Sequence, residues 1–264
     1  MEIILQRLAL GGYALSTLVA FTSLLGRRKV VLALAPVVAG AGLVAHLGAF
    51  THAYRHLEIQ PGSAARNVLS ALALMAVAIY LYGYLRYRLH VLGIVMLPLA
   101  LLLFLFSGWL LPESVEVSPA YSQPLLWLHI AVSTLGVGAL FLTFTFSVMY
   151  LVQEKALKKK RPVSFFLPLP SLSACDHVLY VSLMIGFALL TIGLALIAVW
   201  SANMRGTFDV WESQREILAL VSWVIFGVVL YARLVTGWRG RKMAFLTIAG
   251  FAAVMLRIIG GPFL

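Results

Sequence analysis

The sequence predicts an all-α membrane protein with eight transmembrane helices and both termini on the outer side of the membrane. Hydrophobic residues make up 62% of the 264-residue chain and charged residues only 11%. The mean hydropathy is +0.99, which is far too high for a chain whose surface must face water. The apolar residues also cluster in runs of about 20, the length that crosses the hydrocarbon core of a bilayer.

Each apolar run is predicted to be a helix, because lipid offers no hydrogen-bonding partner to an open strand edge. The runs cover approximately residues 5–25, 30–51, 65–85, 91–111, 125–151, 178–200, 216–235 and 243–261. No stretch between them has the size or polarity of a soluble domain. Residues 1–264 are therefore predicted to form a single transmembrane domain.

The loops between the runs set the predicted orientation, because short cytoplasmic loops carry an excess of lysine and arginine. Of the 20 basic residues, three lie in the first loop, two in the third, five in the fifth and three in the seventh. The even-numbered loops carry Arg55, Arg66, Arg205 and Arg215 together with six acidic residues. Odd-numbered loops are therefore predicted to face the cytoplasm of a bacterial inner membrane. The net charge of +11 follows from these loops, so no nucleic-acid partner is expected.

The cysteine and tryptophan residues limit which functions the chain can have. Cys175 is the single cysteine, which excludes an intramolecular disulfide, a two-cysteine thiol reductant and covalent haem attachment through CxxCH. Four tryptophans, Trp109, Trp127, Trp200 and Trp211, lie at or beyond predicted outer helix ends. They form either an interfacial aromatic belt or an outer platform for a flat cofactor. A belt alone would place tryptophans at both interfaces, so it does not explain why these four lie on the predicted outer side.

Two of the six histidines, His46 and His129, lie inside apolar runs, about four residues from the predicted outer ends of their helices. Four residues correspond to roughly 6 Å of helix, so both imidazoles are expected at a similar depth. An ionisable side chain inside the bilayer is a candidate functional site. Small residues follow each histidine on its helix face, namely Gly42, Ala39, Ser133 and Gly136. They allow either close helix packing or a slot for a planar macrocycle beneath two axial imidazoles.

The C-terminal third carries the most informative motifs. Residues 236–242 read Thr-Gly-Trp-Arg-Gly-Arg-Lys and lead into an apolar run that contains Ile-Ala-Gly-Phe at 248–251. His129 lies in a Trp-Leu-His-Ile setting at the start of a span, and Trp223 follows in the seventh run. In these features the chain resembles the CcsA-like family of cytochrome c assembly proteins. Residues 206–212, with Phe208 and Trp211, are similar to remnants of the family's tryptophan-rich haem-handling loop.

The resemblance implies a protein that binds haem in the membrane, since the full members of the family present haem to apocytochrome c outside. His46 is similar to a histidine of the HemX-like and YpjD-like branch, which is the closer comparison. The implied cofactor is a b-type haem with His46 and His129 as axial ligands. The implied surroundings are the aromatic residues Trp127, Phe208 and Trp211, and the propionate partners Arg55, Arg66 and Arg205. Helix packing around a hydrogen-bonded histidine is the alternative for both histidines.

Two departures from the family pattern argue against a complete haem-transfer site. Residues 208–213 read Phe-Asp-Val-Trp-Glu-Ser where the family loop ends in Trp-Asp-Pro-Lys-Glu. Arg233 stands where full members have a histidine, and we expect it to extend to the inner interface. No role is predicted for His52 and His56, which are spaced i, i+4 on the predicted outer side.

The leading hypothesis is an inner-membrane haem-binding protein that holds, relays or senses haem for another membrane or extracytoplasmic haem protein. Enzymatic activity is not expected. One alternative is a transporter of small solutes, in which Pro36 and Pro98 would break helices, but residues 1–130 and 131–264 show no convincing repeat. A cofactor-free scaffold for assembling other membrane proteins is the second alternative.

Overall fold

The computed structural model describes residues 1–26, 29–55, 64–89, 91–109, 124–158, 170–205 and 214–260. These ranges contain eight α-helices: α1 Glu2–Gly26, α2 Lys29–Arg55, α3 Ala64–Tyr87, α4 Val91–Trp109, α5 Pro124–Lys158, α6 Leu172–Arg205, α7 Gln214–Val235 and α8 Arg241–Gly260. Each helix is long and apolar enough to cross a membrane. The predicted all-α fold with eight spans is confirmed. The orientation of the termini stays a prediction.

The first compact unit contains α1 to α4. Helix α1 packs along α2, α3 packs along α4, and α2 also contacts α3. Contacts between α1 and α4 close the four helices into a bundle. Helices α1 and α2 approach backbone to backbone, since a Cβ atom added to Gly12 would lie 2.8 Å from the Cα atom of Gly42.

The second compact unit contains α5 to α8, and its helices are neighbours in the same cyclic order. Helix α5 packs along α6, α6 contacts α7, α7 packs along α8, and α8 returns to α5. A Cβ atom added to Gly136 of α5 would lie 3.1 Å from the backbone nitrogen of Leu190, so these two helices also approach closely. Whether the two units act as the single predicted domain stays a prediction.

Helices α5 and α6 are longer than the predicted spans 125–151 and 178–200. They contain 35 and 34 residues, or about 50 Å of helix each, against a hydrocarbon core of about 30 Å. Helix α6 is extended at both ends, by residues 172–177 and 201–205, and α5 is extended towards the fifth loop. Glu154 and Lys158 form an i, i+4 ion pair of 2.7 Å there, and such residues favour helix without being apolar. Hydropathy marks where the bilayer ends, whereas the helix continues beyond it.

The turn between α7 and α8 depends on two glycines in the left-handed region. Gly237 and Gly240 have φ angles of +66° and +67°, which residues with a Cβ atom adopt at a cost. The backbone N–H of Trp238 donates to the carbonyl of Ala232 and closes the end of α7. The Gly-Trp-Arg-Gly-Arg motif noted in the sequence therefore has a structural role as a fixed turn.

Arg233 forms an ion pair within the second unit, and its expected extension to the inner membrane interface stays a prediction. Its Nη2 atom lies 2.6 Å from Oδ2 of Asp176 and its Nη1 atom lies 3.2 Å from Oδ1. Nη1 also donates to the carbonyl of Trp238, and the backbone N–H of Gly240 donates to Asp176. Arg233 and Asp176 thus join α6, the end of α7 and the following turn.

Candidate functional site

His46 lies at the centre of a polar cluster inside the first unit and is only 1% exposed. Its Nδ1 atom lies 3.0 Å from the hydroxyl oxygen of Tyr13 on α1, and its Nε2 atom lies 2.8 Å from the hydroxyl oxygen of Ser70 on α3. The ring of Phe104, from α4, is 4.2 Å away between centroids. All four helices of the unit therefore contribute to fixing this imidazole.

A cavity of about 340 Å³ lies beside His46. Its lining comes from the starts of α1 and α3 and the ends of α2 and α4, so it lies at one end of the bundle. The predicted orientation makes this the outer end. Polar lining residues include Arg7, Gln6, Arg66, Asn67 and Ser70, and Phe50 and Phe104 supply apolar surface. The structure thus brings two of the predicted site residues, His46 and Arg66, to the same cavity.

His129 lies within the second unit, near the start of α5. Its Nδ1 atom lies 2.8 Å from the backbone carbonyl oxygen of Gly193 on α6 and 3.3 Å from the hydroxyl oxygen of Ser133. Arg257, in the last turn of α8, is near enough for its charge to act on His129. His129 is thus hydrogen-bonded through one ring nitrogen, whereas His46 is hydrogen-bonded through both.

The small residues that accompany the two histidines are used for helix packing, not for a slot. A Cβ atom added to Gly42 would lie 3.1 Å from the ring of Tyr13, and Ala39 is fully buried. Gly136 faces α6 at close range. Of the two interpretations left open by the sequence, the described residues support close packing. Any planar ligand at His46 would have to enter from the cavity beside the ring.

The remaining predicted site residues are only partly described. Trp127 lies in the first turn of α5, two residues before His129, so the two side chains point to different faces of the helix. Phe208, Trp211 and the side chains of Arg55 and Arg205 lie outside the described part of the chain. Their proposed roles, and the pairing of His46 with His129 around one haem, stay predictions.

Three contributors to the His46 site did not emerge from the sequence. Tyr13, Ser70 and Arg7 lie on helices that are adjacent only in the folded unit. In the sequence, only the i, i+4 spacing of Arg66 and Ser70 could have indicated that both side chains lie on one face of α3. No described group of three or more His, Cys, Asp or Glu side chains could hold a metal ion. A haem iron, by contrast, takes only one or two ligands from the protein.

Comparison with known proteins provides the family. Residues 65–263 match the model of a family described as cytochrome C assembly protein. "Cytochrome c biogenesis protein CcsA" of Guillardia theta is 30% identical over 202 residues, which are 69% of this chain and 67% of that protein. The protein of the same name from Heterosigma akashiwo strain NIES-293 / 8280G21-1 is 29% identical over 232 residues, covering 74% and 72%. That of Prochlorococcus marinus strain AS9601 is 29% identical over 201 residues, covering 67% and 65%. The family match begins in α3, so Tyr13 and His46 precede it.

Proposed function

This chain belongs to the cytochrome c assembly protein family, and we propose that it is a multi-pass membrane protein that handles haem during cytochrome c assembly. The proposed location is the bacterial cytoplasmic membrane, with the haem near the outer face. The family match spans α3 to α8, which is most of the membrane-spanning chain. Transport of small solutes and a cofactor-free scaffold are not favoured by this membership. Another membrane or extracytoplasmic haem protein is the proposed recipient.

The cavity beside His46 is the observation that carries the proposal. A buried imidazole is a common axial ligand of haem iron. Arg7 and Arg66 line the same cavity, and a guanidinium group pairs well with a carboxylate such as a haem propionate. The volume of about 340 Å³ falls within the roughly 300–1,000 Å³ that is typical of small-molecule sites. The donor set therefore fits haem, with Phe104 as an apolar wall.

His129 is a second candidate ligand, and its hydrogen bond to a backbone carbonyl is typical of metal-ligating histidines. A histidine that ligates a metal through one nitrogen usually donates its other N–H to a carbonyl or carboxylate. The carbonyl of Gly193 is in position to accept from Nδ1 of His129. Arg257 is a nearby cation that the sequence did not suggest as a propionate partner. Together with Trp127, Phe208, Trp211, Arg55 and Arg205, these residues complete the proposed set.

The cofactor is proposed to be a b-type haem, because the single cysteine provides no CxxCH attachment site. Once bound, haem supplies an iron centre that can be passed on or change its oxidation state. When haem binds, His46 and His129 would hold the iron, and the arginines would pair with the propionates. The bis-histidine arrangement is the preferred hypothesis.

An absorption spectrum of the purified full-length protein tests this function. We expect a b-type haem spectrum from haem-replete cells, or after addition of haemin. Replacing His46 or His129 by Ala should remove one axial ligand and change a six-coordinate spectrum to a five-coordinate one. Replacing both should abolish stable binding. His177→Ala is the matched control, since this exposed histidine lies at the opposite end of its helix from Gly193 and Arg205.

A colourless wild-type protein that takes up no haemin would rule out the proposed function. If the double variant still bound haem, the haem site would have to lie elsewhere in the protein. Unchanged six-coordination in either single variant would exclude that residue as a ligand.

A further inference from the structure

The two membrane histidines differ in which ring nitrogen carries the proton. For His129 the partner of Nδ1 is the backbone carbonyl of Gly193, 2.8 Å away. A carbonyl can only accept, so Nδ1 must carry the hydrogen. In a neutral imidazole the lone pair then lies on Nε2. Within the described residues Nε2 of His129 has no hydrogen-bond partner, so this nitrogen is ready to coordinate a metal.

For His46 both partners are hydroxyl groups, and burial decides their roles. The Tyr13 side chain is 0% exposed, and Nδ1 of His46 is the acceptor its hydroxyl reaches among the described residues. Leaving a buried O–H without an acceptor is costly, so Tyr13 donates to Nδ1. A buried imidazole without a carboxylate partner is neutral. Its proton therefore lies on Nε2 and is donated to Ser70 Oγ, 2.8 Å away.

We infer that Tyr13 and Ser70 act as a latch that holds His46 in the tautomer unable to ligate iron through Nε2. This inference rests on the proposed haem-handling function. Coordination requires Nε2 to lose its proton and Nδ1 to gain one, so the ring stays neutral. The Tyr13 hydroxyl then accepts from Nδ1–H and loses the acceptor for its own hydrogen, so the contact that holds the resting tautomer opposes the ligating one. Nε2 of His129 can ligate iron in the resting tautomer. Nε2 of His46 can do so only after its ring changes tautomer.

Ser70 can release His46 and still find an acceptor for its own hydroxyl group. Serines inside helices commonly donate to the carbonyl four residues earlier, as Ser182 and Ser222 do in this protein. The corresponding acceptor for Ser70 is the carbonyl of Arg66. Ser70 also lines the cavity, so a ligand that enters there meets the latch directly.

The protonation pattern is testable in the haem-free, full-length protein. Solid-state NMR of protein in lipid bilayers, labelled with ¹⁵N in the histidine rings, reports which nitrogen carries hydrogen. The signals are assigned from the spectra of His46→Ala and His129→Ala. We expect hydrogen on Nε2 of His46 and on Nδ1 of His129. Hydrogen on Nδ1 of His46 in the resting protein would overturn the latch, whatever the protein does with haem.

Haemin titrations test the consequence of the latch. Ser70→Ala removes the competing hydrogen bond and should tighten haemin binding about two- to tenfold. Tyr13→Phe removes the donor that holds the lone pair on Nδ1 of His46 and should likewise tighten haemin binding about two- to tenfold. Ser70→Thr keeps the hydroxyl group and should restore wild-type affinity.

Two matched controls separate the latch from general effects on packing. Tyr80→Phe alters another fully buried tyrosine of the same unit, and Ser16→Ala alters a buried serine that does not line the cavity and donates to the backbone carbonyl of Tyr13. Both should bind haemin as the wild type does. If Tyr13→Phe and Ser70→Ala match these controls while the wild type binds haemin, the latch is wrong and the proposed function stands. Failure of the wild type to bind would reject the function, and the NMR result would still decide the tautomers.

Discussion

At the scale of single residues, the Arg233–Asp176 ion pair links the end of α7 to the start of α6 in the second unit. The two side chains are 10% and 17% exposed, and both oxygens of the carboxylate face the guanidinium group. The ring of Tyr180 lies 5.0 Å from the guanidinium carbon and shields one face. Removing either partner would leave the other charge with little solvent and no counter-charge.

We therefore predict that Asp176→Ala and Arg233→Ala each lower the free energy of unfolding by roughly 3 kcal/mol, as is typical when one partner of a buried pair is removed. Replacing both should cost less than the sum of the two single changes. Lys158→Ala is the control, because its pair with Glu154 is exposed on the lysine side and such pairs contribute less than about 1 kcal/mol. Unfolding in bicelles would measure all four; single variants no less stable than the control would contradict the prediction.

The individual site residues show where inference from sequence reached its limit. His46 and His129 could be selected because an imidazole in an apolar run is conspicuous by itself. Their partners could not, because Tyr13 and Ser70 are 33 and 24 residues from His46 and Gly193 is 64 residues from His129. A tyrosine or serine in a hydrophobic run has no pattern that marks it as a histidine partner. Asp176 was missed for the same reason, being 57 residues from Arg233.

At the scale of elements, hydropathy predicted every helix because each must supply about 20 apolar residues to the bilayer. It could not predict the continuation of α5 to Lys158 or the start of α6 at Leu172, since those turns lie beyond the apolar runs. It also could not tell whether small residues serve packing or a ligand. The contact of Gly12 with Gly42 resolves that question for α1 and α2.

Neighbouring glycines on α1 allow a direct test of this helix contact. A Cβ atom at position 12 would lie 2.8 Å from the Cα atom of Gly42, which is backbone and cannot move aside, whereas position 11 has nothing within 4 Å. We predict that Gly12→Ala lowers the free energy of unfolding by about 1–3 kcal/mol through overpacking. Gly11→Ala should be neutral or stabilise by up to about 1 kcal/mol, since alanine favours helix. Equal effects of the two substitutions on unfolding in bicelles would mean that α1 and α2 do not meet there.

At the scale of the whole molecule, eight spans and the family membership are established, and the direction of insertion is the main open expectation. The basic residues of the first, third, fifth and seventh loops set it, since translocation of lysine- and arginine-rich loops is disfavoured. The outer location of the His46 cavity depends on the same rule. That cavity lies where α1 and α3 begin, so it faces outward only if the N-terminus does.

A reporter fused after Leu264 should therefore be active only if it is of a type that works outside the cytoplasm, such as a periplasmic phosphatase. The matched fusion after Lys160, within the basic fifth loop, should show the opposite activity, because three consecutive lysines end there. If one of the helices α6 to α8 did not cross the membrane, an even number of crossings would separate the two sites and both fusions would behave alike. A cytoplasmic reporter active after Leu264 and inactive after Lys160 would invert the orientation. The His46 cavity would then open towards the cytoplasm, and delivery of haem on the outer side would have to use a different part of the protein.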